Sequence, residues 1–96
     1  MKSGIAVVIP AFNAERFLGD ALRSLRDQSL QPDEVVVVDD GSTDRTAAIA
    51  QQAGATVIRQ QQRGPGAARN RGVEATTAPL IAFLDADDWF APRKLE

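Results

Sequence analysis

Val35-Val36-Val37-Val38-Asp39-Asp40-Gly41-Ser42 decides the fold. An unbroken β-branched run reads as a strand buried in a parallel sheet, and here two carboxylates and a glycine follow it at once. A second stretch repeats the arrangement: Leu80-Ile81-Ala82-Phe83-Leu84 leads straight into Asp85-Ala86-Asp87-Asp88. Ligands of open α/β sheets bind outside the carboxyl ends of the strands, so both acidic clusters are expected to open onto one crevice. Neighbouring carboxylates repel one another, which raises the pKa of some unless a cation neutralises them. A divalent metal carrying a phosphate ligand resolves that repulsion.

Working outward, Ile5-Ala6-Val7-Val8-Ile9 reads as a first buried strand, ended by Pro10. Asn13 is placed to cap a helix running to about Gln28, with Phe17, Leu18, Ala21, Leu22 and Leu25 on one face. Pro32-Asp33 turns the chain into the strand from Glu34 to Val38. Gly41-Ser42-Thr43 supplies a tight turn and a cap for a helix ending near Ala53, with Gly54 at its C′ position. Ala55 to Ile58 makes a short third strand whose polar continuation, Arg59-Gln60-Gln61-Gln62, suits an edge or the start of a loop. Gly64-Pro65-Gly66 opens a third helix reaching roughly Thr76, with Pro65 in its first turn and Gly72 weakening it. Pro79 restarts the chain into the strand from Leu80 to Leu84. The order β-α-β-α-β-α-β predicts a three-layer α/β/α, Rossmann-like architecture around a mainly parallel four-stranded sheet. Residues 1–96 form a single domain that has the look of a truncated one, because a further helix is expected to begin after Pro92.

Composition narrows the chemistry. A net charge of −2 lacks the basic face that nucleic acid requires, so no nucleic-acid partner is expected. Cysteine and histidine are both absent. That excludes disulfides, thiolate and imidazole metal sites, and triads built on histidine. Any catalysis must rest on Asp, Glu, Lys, Arg or a metal. The first apolar run is too short for a signal-peptide core or a membrane span, so a cytoplasmic location is expected, with membrane association left to a longer form.

Asp85, Asp87 and Asp88 are the stronger acidic signal, since an apolar strand running directly into them fits a solvated turn poorly. Hard oxygen ligands of this kind suit Mg2+ or Mn2+ completed by substrate phosphates. For Asp39 or Asp40 alone the simplest role is to satisfy loop amides; two at the mouth of a central strand point toward ligand contact. Pro10 and Ala11 offer a flat wall for a planar base. Gly64-Pro65-Gly66-Ala67-Ala68-Arg69-Asn70-Arg71-Gly72 places small residues against the sheet and Arg69 or Arg71, Arg69 the better placed, where it can face a diphosphate or balance the acids. It lacks the third glycine of the dinucleotide fingerprint and follows the wrong strand for it.

Four segments together resemble the nucleotide-binding half of the family 2 glycosyltransferases, which have the GT-A fold. They are Val8-Ile9-Pro10-Ala11-Phe12-Asn13, Val37-Val38-Asp39-Asp40-Gly41-Ser42-Thr43-Asp44, Gly66-Ala67-Ala68-Arg69-Asn70-Arg71-Gly72 and Phe83-Leu84-Asp85-Ala86-Asp87-Asp88. Phe12 stands where the family often has tyrosine. The resemblance implies a site for a nucleotide-diphosphate sugar, most often a UDP-sugar. Pro10, Ala11, Asn13, Asp39, Asp40, Arg69, Asp85 and Asp87 are its expected nucleotide-binding residues, and Asp87 and Asp88 its metal ligands for Mg2+ or Mn2+. It implies inverting transfer of the sugar to the hydroxyl of a glycan or lipid-linked acceptor. The family's general base lies well past the Asp-x-Asp segment, beyond Glu96, so no catalytic residue is assigned here and no sugar transfer is expected of these 96 residues alone. A homo-oligomer is expected from the open sheet edge.

Three rival readings are weaker or narrower. A receiver domain needs its acidic pair after the first strand and a lysine after the fifth, whereas the lysines here are Lys2 and Lys94. A haloacid-dehalogenase-like phosphohydrolase carries Asp-x-Asp on its first strand. The third is a non-catalytic, nucleotide-binding or interaction remnant of the glycosyltransferase fold.

Overall fold

The structure, a computed structural model, describes residues 3–88 and Leu95; the helix expected after Pro92 lies outside the described residues. Seven elements follow in order: β1 (Ile5–Ala11), α1 (Leu18–Arg26), β2 (Glu34–Asp39), α2 (Thr46–Gln52), β3 (Thr56–Arg59), α3 (Pro65–Glu74) and β4 (Leu80–Phe83). The strands form one parallel sheet in the order β3-β2-β1-β4. The apolar runs account for that order. Val7, Val8 and Ile9 of β1 and Val36, Val37 and Val38 of β2 are wholly buried, as interior strands must be. The polar β3 and the short β4 form the half-exposed edges.

Alternation along the strands divides the core between two faces. Ile5, Val7, Ile9 and Val37 meet Leu18 and Leu25 of α1 on one side. Val8, Val36 and Val38 meet Ala68 of α3 on the other. Each buried Val, Leu or Ile contributes about 1.5–3 kcal/mol relative to an exposed one, so the sheet's centre is its energetic anchor. Helix α3 approaches closely because Gly72 carries no side chain: a Cβ there would lie 2.3 Å from Cγ1 of Val8. The glycine that sequence pattern marks as a weak point of the helix is what lets the helix reach the sheet.

Two expectations about element ends are corrected. Pro10 does not end β1, which continues to Ala11. Ile5 and Ala11 accept amides from the β2 side and Val8 accepts from Leu84, so alternate residues turn their backbone groups to opposite neighbours. Pro10 therefore lacks its N–H on the β4 side, where pairing has already stopped at Phe83. Asn13 does not cap a helix either. Helix α1 starts at Leu18, after a turn in which the Phe17 and Leu18 amides donate to the Ala14 carbonyl.

The first two crossovers carry the chain outward from β1 to β3, and the third brings it back to the far side of β1. The direction reverses between β1 and β4. A crevice at the carboxyl ends of those two strands follows from that reversal.

Candidate functional site

Two loops at the carboxyl end of the sheet interlock through side chain to backbone bonds. The Asn13 amide donates to Ser42 Oγ (2.8 Å), and the Ala14 amide to Thr46 Oγ1 (2.9 Å). In return, the Thr43 amide donates to Asn13 Oδ1 (2.9 Å) and the Arg45 amide to Glu15 Oε2 (3.3 Å). Asp44 accepts from the Thr46 amide and hydroxyl at the head of α2 and from the Glu15 amide across the gap. Ser42 and Thr43, expected to cap α2, instead bind the β1–α1 loop, and Asp44 takes over the capping. Burial acts most strongly on Asp44 and would raise its pKa. The donors from Thr46 and Glu15 together outweigh that, and the carboxyl sits below the ordinary aspartate value.

The paired aspartates after β2 have separate tasks. Asp40 turns back onto the β3–α3 loop: Oδ1 accepts from Gln60 Nε2 (2.8 Å) and the Arg63 amide (2.8 Å), and Oδ2 from the Gly64 amide (2.9 Å). Burial again pulls its pKa upward as the largest single influence, and the three donors bring it below the ordinary value. A carboxylate offers about four acceptor positions, so one remains for a ligand donor. Gly41 makes the close passage possible. Its φ is +85°, and a Cβ there would stand 3.0 Å from the Gln62 nitrogen. Asp39 is wholly buried: Oδ1 accepts from the Ser42 amide (3.0 Å), while Oδ2 lies 3.1 Å from Arg59 Nε. That contact is close enough for an ion pair, but no hydrogen is aligned with Oδ2.

Across the crevice, Asp85 to Asp88 form a turn in which the Asp88 amide donates to the Asp85 carbonyl. Arg69 of α3 pairs with Asp85 at 3.4 Å. Arg71 lies on another side of α3, beside Arg63, Asn70 and Glu74.

Two clefts meet over β1. One, of about 180 Å3, is lined by Pro10, Ala11, Phe12, Asp40, Pro65 and Ala68. The other, of about 270 Å3, shares Pro10, Phe12 and Pro65 and adds Asn13, Phe17, Asp85 and Asp87 among its walls. Asp40, after β2, lines the first cleft and Asp87, after β4, lines the second; β1 runs between those strands, and Pro10, Phe12 and Pro65 are common to both clefts. Asp39 lines neither, and the Asn13 carboxamide oxygen is engaged by Thr43. Phe12, one of the residues that both clefts share, is exposed. A depression of about 250 Å3 at the opposite end of the sheet, around Leu25, Pro32, Glu34 and Gly54, is of similar size. Strand order favours the two clefts over β1: the depression, although it carries Arg26, Asp33 and Glu34, lies at the amino ends of the strands, away from the reversal between β1 and β4.

Gln60, Thr46, Arg59 and Phe17 escape sequence reading. The partners of the first three lie 17 to 32 residues away, and a glutamine after a short strand looks like ordinary loop polarity. Phe17 looks like a core residue of α1 but stands half exposed at the rim.

The donor set permits a metal of one kind. Among the described residues no three acids gather into a cage. Asp87, exposed on the cleft wall, and Asp88, next to it in the chain, carry hard oxygens, and Asp85 pairs with Arg69. That fits a Mg2+ or Mn2+ ion bound by one or two carboxylates and completed by substrate phosphates.

The sequence profile described as Glycosyl transferase family 2 matches residues 6–96. The chain is 40% identical over 97 residues to the succinoglycan biosynthesis protein ExoU of Rhizobium meliloti, covering 95% of this chain and 28% of ExoU. It superposes on S. aureus TarS bound to UDP with a TM-score of 0.88 and 33% identity, over 99% of this chain and 30% of TarS. Glucosyl-3-phosphoglycerate synthase of Mycobacterium tuberculosis, crystallised with Mn2+, UDP and glucosyl-3-phosphoglycerate, matches with a TM-score of 0.76 and 32% identity, over 85% of this chain and 33% of the synthase. The chain spans 16% to 40% of the length of the curated relatives it matches.

Proposed function

The chain belongs to glycosyl transferase family 2, and from that premise we propose that it forms the donor-nucleotide and metal part of an inverting glycosyltransferase, which moves a sugar from a UDP-sugar to an acceptor hydroxyl. The observation that carries the reading is the shared rim. Asp40 on one cleft and Asp87 on the next are joined through Pro10, Phe12 and Pro65. The crystal structures of TarS with UDP and with UDP-GlcNAc, and of the synthase with Mn2+ and UDP, support the choice of ligand.

Pro10, Ala11 and Phe12 give the base an apolar wall. The open acceptor position on Asp40 takes a donor from the base edge, and its ionised state is secured by the three loop donors. Arg69, held by Asp85, stands where it can meet phosphate charge. Asp87, the second acid of the Asp85-Ala86-Asp87 segment, and Asp88 after it would hold the Mg2+ or Mn2+ ion. Such an ion, when bound, neutralises charge on the leaving diphosphate. No general base is assigned among residues 3–88, and the acceptor, a glycan or lipid-linked alcohol, is contacted by none of the residues named here. Cytoplasmic location and self-association along the β4 edge, where Leu80 and Phe83 stand exposed, complete the proposal.

Thermal unfolding with UDP, GDP and dTDP, each with and without Mn2+, tests it. UDP with Mn2+ should raise Tm, since a ligand at a hundred times its Kd stabilises by about 2.7 kcal/mol. A shift that ignores the metal, or is equalled by uridine, would contradict a diphosphate site.

A further inference from the structure

Resting on that reading of the cleft, we propose that Arg59 is a positioning residue: through Asp39 and Ser42 it fixes Asn13, and thereby Phe12, which lines both halves of the site. Arg59 lines neither half, so it acts at a distance. It stands at the end of β3 in register with Asp39, and its guanidinium grips one turn at two points. Nε lies against the buried Asp39 Oδ2, and Nη2 donates to the Ser42 carbonyl at 3.1 Å. Asp39 Oδ1 accepts from the Ser42 amide, so Ser42 is held through both its N–H and its C=O.

From Ser42 the linkage passes to Asn13. Ser42 Oγ accepts from the Asn13 amide, and the Thr43 amide and hydroxyl donate to Asn13 Oδ1 at 2.9 and 3.4 Å. Asn13 has φ +48°, the left-handed region that asparagine tolerates better than most residues. That kink sets where Phe12, its chain neighbour, stands. If Ser42 moves, three bonds holding the kink move with it. The charge of Arg59 also matters to Asp39, because a buried carboxylate without a neutralising partner is strongly disfavoured.

A merely structural Arg59 would change Tm and leave affinity alone. The discriminating measurement is calorimetric titration of UDP with Mn2+, well below each variant's Tm, together with amide chemical shifts of Asn13 and Thr43. Arg59→Ala should weaken UDP binding by about tenfold, the effect of one hydrogen bond to a charged group, and shift both amides. Arg59→Lys restores charge beside Asp39 but not the bond to Ser42, so it should recover stability without recovering affinity. Wild-type affinity in Arg59→Ala overturns the inference. Should that variant fail to fold, the double variant Asp39→Asn/Arg59→Gln removes charge and counter-charge together, and wild-type affinity there overturns it equally. Failure of the unaltered chain to bind any nucleotide overturns the nucleotide reading instead. The Asn13 and Thr43 shifts in the folded variant then decide the positioning claim, and unchanged shifts reject it.

Discussion

Gly72→Ala will destabilise the chain by about 3 kcal/mol, because overpacking a core site costs on that order. Helix propensity argues the opposite sign: alanine gains about 1 kcal/mol over glycine inside a helix. Contact distance decides between them. The added Cβ would lie 2.3 Å from Val8 Cγ1 and 3.2 to 3.3 Å from Val8 Cγ2 and Val38 Cγ2. Val8 sits in an interior strand, wholly buried, and its β-branched side chain has little freedom to rotate away. Helix α3 must then lift from β1, and it carries Pro65 and Arg69 of the site. At about 4–8 °C per kcal/mol for a domain of this size, the loss is easily read as a fall in Tm. Gly66→Ala is the matched control, since nothing lies within 4 Å of its added carbon, and it should hold or raise Tm. Equal Tm values for the two variants would show that α3 packs less closely than described.

Asp40→Ala will cost about 3 kcal/mol and free the β3–α3 loop. Hydrogen bonds to a charged acceptor contribute about 1.5–3 kcal/mol each, and the three made by Asp40 are coupled and so fall short of additive. The variant leaves the Arg63 and Gly64 amides without their acceptor. Asp40→Asn should recover little, because its NH2 group would turn one donor toward another. Hydrogen exchange reports the outcome directly: protection of the Arg63 and Gly64 amides should fall, while that of the Val36–Val38 ladder should drop only by the global loss. The pH dependence has a definite sign. Asp40 has a depressed pKa in the folded chain, so its contribution is fully present above the unfolded value of about 3.9 and is lost as pH falls through the folded value. Asp44 behaves alike, so acid should loosen both loops around the cleft together. Undiminished protection in Asp40→Ala would show that Asp40 does not hold the β3–α3 loop.

Much of this architecture is legible in the sequence, because burial in a parallel sheet writes itself as unbroken apolar runs. Val35–Val38 and Leu80–Leu84 mark two strands to within a residue, and the acids that follow them mark the crevice. What hides is any feature set by a partner distant in sequence. The sequence shows Asn13 before an amphipathic segment, where a cap would stand. It does not show that Ser42 Oγ takes the Asn13 backbone amide and that the Thr43 amide takes its side-chain oxygen, from 29 and 30 residues away. Pro10 looks like a strand end because the sequence cannot say that β4 stops pairing beside it. Gly72 looks like a helix defect because close approach to Val8 is visible only once both elements are placed. The acidic pair after β2 divides on the same principle: Asp40 reaches the rim, and Asp39 turns inward to Ser42 and Arg59.

Titration of the 15N-labelled chain with UDP in the presence of Mg2+ tests the central claim most directly. Amide shifts should cluster at Ala11–Asn13, Asp40, Arg69 and Asp85–Asp88, and should collapse when Asp87 and Asp88 are both replaced by asparagine. Shifts confined to Arg26, Glu34 and Gly54 at the opposite end of the sheet would contradict a metal-bridged diphosphate held at the reversal between β1 and β4, as would a pattern indifferent to the loss of both acids.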